Sequence, residues 1–166
     1  VTVADTTAPV VTVIGEVTVN VETGGAYTDS GATAADSFEG DLTGSITVNN
    51  PVDPTKSGSY TVTYSVKDPS GNEGKATRTV VVSDTSVPVI TLKGNTTLTT
   101  EATQLFTDPG ATATDSADGD LTAKISVTGT VDTSKLGDYT LTYDVADSQG
   151  NKAVRLTRKV TVADTT

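Results

Sequence analysis

Acidic side chains are the residues of this sequence that could do chemistry. The 166 residues contain 21 Asp and Glu against 11 Lys and Arg, giving a formal net charge of −10, and they include no His and no Cys. The chain therefore lacks the commonest general base, thiolate nucleophiles, disulfides and the usual zinc ligands. What remains is oxygen, and clustered carboxylates are the ligands that a hard cation such as Ca²⁺ prefers.

The same composition argues against several classes of function. Negative charge opposes binding to nucleic acid or to an anionic membrane. No run approaches the ~18 apolar residues of a membrane span, and the first residues do not form a signal peptide, so we expect no membrane insertion. A pair of carboxylates could imitate a glycosidase, but such a site needs a deep cleft and more scaffold than ~80 residues provide. We expect a monomeric protein that is not an enzyme.

The acids recur because the sequence is a tandem repeat. An offset of 79 carries Asp5 to Asp84 and Tyr60 to Tyr139, whereas Arg78 and Arg158 differ by 80, which places one inserted residue in the second copy after residue 151. Residues 1–7 also recur letter for letter as residues 160–166. We predict two domains, residues 1–83 and 84–166, with residues 1–4 as the tail of a preceding strand, and we expect both to belong to a longer array.

Short β-strands must position the acids. In the first copy, residues 9–14, 17–21, 31–36, 45–49, 60–66 and 76–82 have strand character, and Gly15-Glu16 predicts that an edge strand breaks and resumes, with either a bulge or a change of sheet at the glycine. Tyr60, Val62, Tyr64 and Val66 alternate with polar residues, the pattern of a half-buried strand. About seven antiparallel strands in each copy indicate an all-β fold of two tandem immunoglobulin-like β-sandwiches.

Five ordered motifs also indicate a family. The first copy carries them at residues 5–11, 27–36, 40–43, 58–64 and 68–72, reading Asp-Thr-Thr-Ala-Pro-Val-Val, Tyr-Thr-Asp-Ser-Gly-Ala-Thr-Ala-Ala-Asp, Gly-Asp-Leu-Thr, Gly-Ser-Tyr-Thr-Val-Thr-Tyr and Asp-Pro-Ser-Gly-Asn. They resemble the Ig-like repeats of bacterial surface proteins and adhesins, a module also found in pesticidal crystal toxins and secreted enzymes. The resemblance implies an extracellular or cell-surface location. The segment around Tyr60 also resembles the tyrosine corner of immunoglobulin-like folds.

Tracing such a sandwich sends acids from separate stretches to one end of each unit. In the first unit these candidate metal ligands are Asp5, Asp36, Glu39, Asp41, Asp68 and Asn72. In the second they are Asp84, Asp115, Asp118, Asp120, Asp147 and Asn151. Gathered carboxylates repel one another, so we predict a bound Ca²⁺ in each unit. Glu22, Asp29 and Asp53 are placed at the other end of the first unit, and the resulting linker arrangement resembles that of cadherin repeats.

An alternative is that these acids only form turns. Asp, Asn and Gly close tight loops through side-chain hydrogen bonds, and the spacing is not that of an EF-hand. Asp29 and Asp108 are interpreted mainly as turn residues. The basic residues that both copies retain are interpreted as partners in surface ion pairs, each contributing under ~1 kcal/mol to stability. They are Lys56, Lys135, Arg78 and Arg158.

Two functions follow as expectations. The first is a structural stalk module of a bacterial surface adhesin, in which Ca²⁺ stiffens the units and their junction and the partners are neighbouring repeats of the same chain. The second is a Ca²⁺-dependent module that binds an extracellular glycan or protein. Near-identical copies favour a spacer, whereas an exposed apolar or aromatic patch at a loop end would favour ligand binding.

Overall fold

Each repeat forms seven short strands, because its Val- and Thr-rich runs alternate apolar and polar residues and are separated by Gly- and Asp-containing turns. The computed structural model describes residues 4–165, so most of the predicted N-terminal tail, residues 1–3, lies outside the described residues. Contacts divide the chain after Asp84 into two units. In the first unit the strands are β1 (Val10–Val13), β2 (Thr18–Glu22), β3 (Ala32–Asp36), β4 (Gly40–Asp41), β5 (Thr47–Asn49), β6 (Gly58–Lys67) and β7 (Glu73–Ser83).

Two sheets make up the first unit, which is the predicted sandwich. One has the order β1-β3-β4 and the other the order β2-β7-β6-β5. The chain passes from the first sheet to the second at Gly15, which has a φ of +81° that favours glycine. Of the two alternatives that the sequence left open at Gly15, a bulge and a change of sheet, the structure has the change of sheet. One pairing differs from the expected antiparallel arrangement, because β2 runs parallel to β7 after the chain has crossed over.

The inner faces of the two sheets enclose a small apolar core. In the first unit Val62, Tyr64 and Val80 are fully buried, and Tyr27 packs against them. Tyr60 forms the predicted tyrosine corner, since its hydroxyl donates to the carbonyl oxygen of Lys56 at 2.9 Å. The same bond joins Tyr139 to Lys135 in the second unit, also at 2.9 Å.

The second unit repeats the plan with one local change. Its strands are β8 (Val89–Leu92), β9 (Thr97–Glu101), β10 (Ala111–Asp115), β11 (Gly119–Asp120), β12 (Ser126–Thr128), β13 (Gly137–Asp144) and β14 (Leu156–Ala163). The β13–β14 ladder stops at Tyr143 and Leu156, whereas the β6–β7 ladder continues to Lys67 and Glu73. The inserted residue therefore appears as a bulge at residues 153–155. No helix in residues 4–165 is long and apolar enough to cross a membrane.

The interpretation of Arg78 and Arg158 as surface residues is wrong. Their side chains are 1% and 0% exposed. Arg78 forms an ion pair with Asp29, donates through Nε to the carbonyl oxygen of Glu16 at 3.0 Å, and lies over the ring of Tyr64. Arg158 repeats this arrangement with Asp108 and Tyr143. Asp29 and Asp108 are thus partners of a buried arginine, and they are not merely turn residues.

The lysine predictions are confirmed. Lys56 pairs with Asp53 at 2.8 Å and Lys135 pairs with Asp132 at 3.3 Å, and all four side chains are substantially exposed. Solvent screens such pairs, so each contributes little to stability.

Candidate metal centre

Four acids of the first unit meet where its strands end. Asp36 is the last residue of β3, Glu39 lies in the turn that follows, and Asp68 comes directly after β6. Asp5 approaches from the segment before β1, and β1 starts beside the end of β3 because Val10 pairs with Ala35. The strand directions of the sandwich therefore bring together residues that are far apart in sequence.

The four carboxylates are close enough to share one ion. Asp5, Asp36, Glu39 and Asp68 each offer an oxygen, and these oxygens all lie within 4.8 Å of one another. Asp36 and Asp68 are 8% and 5% exposed, and Asp5 and Glu39 are half-buried. We call this group the first acid cluster.

Three oxygens of the first acid cluster are buried without a hydrogen-bond partner. They are Asp5 Oδ2, Asp36 Oδ2 and Glu39 Oε2. Burying a charged oxygen without a partner is unfavourable, and native structures seldom leave such groups unsatisfied. Turn formation alone does not account for them, because a turn uses the carboxylate as an acceptor and these oxygens accept nothing.

Hydrogen bonds from the backbone and from Asn72 hold the carboxylates of Asp36 and Asp68. Asp36 Oδ1 accepts from the N–H of Phe38 at 2.7 Å. The backbone N–H of Asn72 donates to Asp68 Oδ1 at 2.8 Å, and its side-chain amide donates to Asp68 Oδ2 at 2.7 Å. Each of these two carboxylates is thus oriented from one side and directed into the cluster. Asn72 acts here as a support for Asp68.

Crowding affects the protonation of the cluster. Burial raises the pKa of Glu39, and proton sharing with Asp36 together with the negative charges of Asp5 and Asp68 raises it further. The hydrogen bond from the Phe38 N–H has the opposite effect at Asp36, where it lowers the pKa. Within the group, Glu39 is therefore an acid whose ionised form the surroundings disfavour.

The second repeat has a smaller cluster at the equivalent residues. Carboxylate oxygens of Asp84, Asp115 and Asp147 lie within 4.8 Å of one another, and all three side chains are buried. Asn151 supports Asp147 as Asn72 supports Asp68, with its side-chain amide donating to Asp147 Oδ2 at 2.8 Å. We call this group the second acid cluster.

Asp118, the counterpart of Glu39, is not part of the second acid cluster. Its Oδ2 accepts from the backbone N–H of Ser148 at 2.6 Å, and its Oδ1 accepts from the Ser148 hydroxyl at 2.9 Å. Two features explain the difference. Asp is one methylene shorter than Glu, and the first repeat has Pro69 where the second has Ser148, so it has no N–H at that position to capture an acid.

Asp41 and Asp120 also lie outside the clusters. Each is exposed and accepts from a backbone N–H two residues later, Asp41 from Thr43 and Asp120 from Thr122, both at 2.9 Å. These bonds lower the pKa of both acids. The turn interpretation, which the sequence left open, describes Asp41 and Asp120.

One aromatic side chain stands beside the first acid cluster. Phe38 is 76% exposed and lines a cavity of about 630 Å³ together with Asp5, Thr7 and Ser70. Its counterpart in the second repeat is Ala117. Sequence reasoning did not single out Phe38, although an apolar residue in an otherwise polar turn is a visible signal.

Chemically, the first acid cluster can hold a cation and little else. All of its ligand atoms are oxygens, which suits Ca²⁺ or Mg²⁺ and disfavours softer metals. Its four carboxylates each place an oxygen within 4.8 Å of the others, a spacing that suits a shared ion.

Known proteins with similar sequences match most of the chain. Residues 11–82 and 90–162 match the family described as bacterial surface protein, Ig-like domain. The pesticidal crystal protein Cry22Aa of Bacillus thuringiensis is 37% identical over 124 residues, which cover 72% of this chain and 17% of that protein. Hyalin of Strongylocentrotus purpuratus is 36% identical over 181 residues, which cover 100% of this chain and 15% of hyalin. The chain thus spans less than a fifth of these relatives.

A solved structure with a similar fold is the lipoprotein BT2262 from Bacteroides thetaiotaomicron. It is 30% identical, with a TM-score of 0.43, over 48% of this chain and 39% of that one. Both repeats match the family over nearly all of their strands, and its membership implies a location at the bacterial surface or outside the cell. The chain belongs to the Ig-like domain family of bacterial surface proteins and contains two tandem copies of that domain.

Proposed function

We propose that this chain is a non-catalytic stalk module of a bacterial surface protein, in which Ca²⁺ bound at the acid clusters stiffens each Ig-like unit. The observation that carries the proposal is the set of three buried, unpartnered carboxylate oxygens in the first acid cluster. Domains of this fold typically have no catalytic activity of their own, and their functions lie in sites added to them.

A divalent cation resolves both difficulties of the cluster. It supplies the positive charge that four acids lack, and it gives the unpartnered oxygens of Asp5, Asp36 and Glu39 an electrostatic partner. Ca²⁺ suits the site better than Mg²⁺, because it accepts six to eight oxygens in irregular geometry whereas Mg²⁺ requires a near-ideal octahedron. Four carboxylates together with backbone and water oxygens can satisfy Ca²⁺.

A stalk has a use for such an ion. A unit of ~80 residues buries only ~60–65% of the surface its unfolded chain exposes, so its margin of stability is thin. The chain has no Cys and so no disulfide. Ca²⁺ bound only by the folded state adds stability, which protects a module at the cell surface from unfolding and proteolysis.

Thermal unfolding of the whole chain tests this proposal. At a Ca²⁺ concentration of ~100 times the dissociation constant, one site contributes ~2.7 kcal/mol. For a domain of this size the Tm should rise by roughly 10–20 °C relative to the protein in EDTA. Mg²⁺ at the same concentration should have a much smaller effect. Superimposable curves with Ca²⁺ and EDTA would overturn the proposal.

A matched variant shows where the ion binds. Asp36→Asn removes a charge from the first acid cluster and should abolish the Ca²⁺ response of the first unit. Asp41→Asn, at an exposed acid outside the cluster, should leave that response unchanged. Limited proteolysis with and without Ca²⁺ should agree with this result. Ca²⁺ should protect the first unit from cleavage in Asp41→Asn and should not protect it in Asp36→Asn.

A second function is favoured by Phe38. Its exposed ring and the adjoining cavity form the kind of aromatic patch that binds the apolar face of a sugar. We infer that the first unit could bind a glycan beside its Ca²⁺ site, a function that Ala117 would not support in the second unit. Glycan-array binding that requires Ca²⁺ and is lost in Phe38→Ala would support this function, whereas a stalk alone predicts no binding.

A further inference from the structure

The two repeats differ in a groove beside the bulge of the second unit. This groove has a volume of about 580 Å³ and is formed where the β13–β14 ladder stops. The same region of the first unit holds a smaller groove of about 340 Å³. Because the two units share one fold, the larger groove is a local property of the second unit.

The bulge has an identifiable cause. In the first unit, Gly74 packs so closely on β1 that any Cβ there would overlap the carbonyl oxygen of Pro9. The second repeat has Ala153 at that place, followed by the inserted Val154. Ala153 still donates to the carbonyl of Val145 at 3.0 Å, and Ala146 still bridges to Lys152. The extra residue is therefore absorbed between Ala153 and Leu156, and a bulge of this kind redirects the neighbouring side chains.

The groove of the second unit carries a local excess of positive charge. Lys124, Lys152 and Arg155 line it together with one acid, Asp144, so two positive charges remain in excess. Arg155 donates to Asp144 through Nε at 2.8 Å. Within residues 4–165, the two Nη groups of Arg155 donate no hydrogen bond. Neither lysine ammonium group forms an ion pair there.

The groove of the first unit lacks this excess. Ser45 and Glu73 stand where the second unit has Lys124 and Lys152. The lining there contains one lysine, Lys67, and one acid, Glu73. Glu73 also pairs with Lys75 at 2.9 Å. The groove of the first unit is therefore neutral, and substitutions together with the insertion make the groove of the second unit cationic. This positive groove lies on a chain whose net charge is −10.

We propose that the groove beside the bulge binds the carboxylate of a short acidic saccharide. Arg and Lys donors around one point recognise carboxylate oxygens, and Arg155 has two donor groups in fork geometry for that purpose. Ser126 and the lysines add donors for ring hydroxyl oxygens, while the partly exposed Ala146 and Ala153 provide small apolar contacts for the ring. A short ligand is favoured over a long polyanion, because each further negative charge would lie nearer to the acidic remainder of the chain and be repelled by it.

The test is an NMR titration of the whole chain with trigalacturonate. Chemical shifts should change at residues 124–126 and 144–155, with a dissociation constant of ~1 mM that weakens as salt is added. The neutral trigalactose and the linear dianion glutarate should produce no comparable change. An equal response to glutarate would overturn the assignment to a saccharide, and an equal response to trigalactose would overturn the role of charge.

Paired variants locate the site. Lys124→Gln and Lys152→Gln should each weaken binding about three- to tenfold, and the double variant should abolish it. Lys67→Gln, the matched change in the groove of the first unit, should have no effect. Deleting Val154 together with Ala153→Gly restores the pattern of the first repeat and should remove binding from a folded unit. Binding retained in the double lysine variant, or shifts confined to other residues, would overturn the proposal.

Discussion

Each unit buries two kinds of carboxylate, and the two are neutralised in different ways. In the first unit, Asp29 lies against the guanidinium of Arg78 and accepts from the Tyr64 hydroxyl at 2.5 Å. Asp36, in the same unit, lies among three other acids with one oxygen unpartnered. Asp29 thus has a cation from the chain itself, whereas the proposed cation of the cluster around Asp36 comes from solution.

The electrostatic environment of Asp29 reflects this difference. Burial alone would raise its pKa, but the hydrogen bond from Tyr64, a backbone bond from Gly31 and the charge of Arg78 together lower it. In the second unit, burial and the hydrogen bond to Asp108 raise the pKa of Tyr143, the counterpart of Tyr64, to about 12. An arginine of the chain neutralises its acid under all solution conditions. An exchangeable cation would instead make the stability of the unit depend on the ion concentration of the solution.

The largest effect is expected from breaking the built-in pair. Asp29→Ala leaves Arg78 charged and buried without its partner, which should destabilise the first unit by about 3–5 kcal/mol. Asp108→Ala should do the same to the second unit, because Arg158 is equally buried. Urea unfolding monitored separately for each unit measures both losses. Neither loss should depend on Ca²⁺, and a loss that Ca²⁺ reverses would contradict the distinction drawn here.

The next largest effect is expected in the first acid cluster. Removing a charge there should stabilise the unit in the absence of Ca²⁺, whereas removing Asp29 destabilises it. In EDTA, Glu39→Gln should raise the Tm of the first unit, because burial and the neighbouring acids raise the pKa of Glu39 and so make its ionised form unfavourable. In saturating Ca²⁺ the same variant should lose the wild-type gain of ~2.7 kcal/mol. Calorimetry in the two solutions gives both values. A variant less stable than wild type in EDTA would show that Glu39 is held by contacts other than a cation.

A smaller effect distinguishes the two acid clusters from each other. Glu39→Asp should withdraw one ligand and weaken Ca²⁺ binding by the first unit about tenfold, or ~1.4 kcal/mol. In the second unit, Asp118→Glu combined with Ser148→Pro should recreate the arrangement of the first and strengthen binding by a similar factor. Isothermal titration with Ca²⁺ measures both. Unchanged affinities would show that Glu39 is not a ligand.

Much of the fold could be predicted from the sequence. Alternation in residues 60–66, the turn at Gly15 and the tyrosine corner are local patterns, and each led to a correct element. The same topology predicted that Asp5, Asp36 and Asp68 would approach one another, since strand direction decides which loops share an end of the sandwich. Patterns that depend on backbone periodicity are thus readable from one chain.

The burial of Arg78 was missed although a signal was present. Arg78, Val80 and Val82 share one face of β7, so their period-two register directs Arg78 inward. An arginine can be buried where an acid such as Asp29 lies within reach, so the register of β7 predicts the position of Arg78 better than its charge does. The different positions of Glu39, inside its cluster, and Asp118, outside its own, could not be predicted. The difference depends on one methylene group and on the N–H that Pro69 lacks.

The smallest effect is a dependence on pH that only the first acid cluster should show through Glu39. The pKa of this acid is raised in the folded state, so above its unfolded value the ionised side chain lowers stability. That penalty disappears as the pH falls through the raised pKa. Ca²⁺ requires the ionised form, so its stabilising effect should shrink over the same pH range. Measuring the Tm with and without Ca²⁺ from pH ~7 to ~4 tests this, with Glu39→Gln as the control. The variant should lose this part of the pH dependence, and an unchanged profile would show that the titration belongs to another acid.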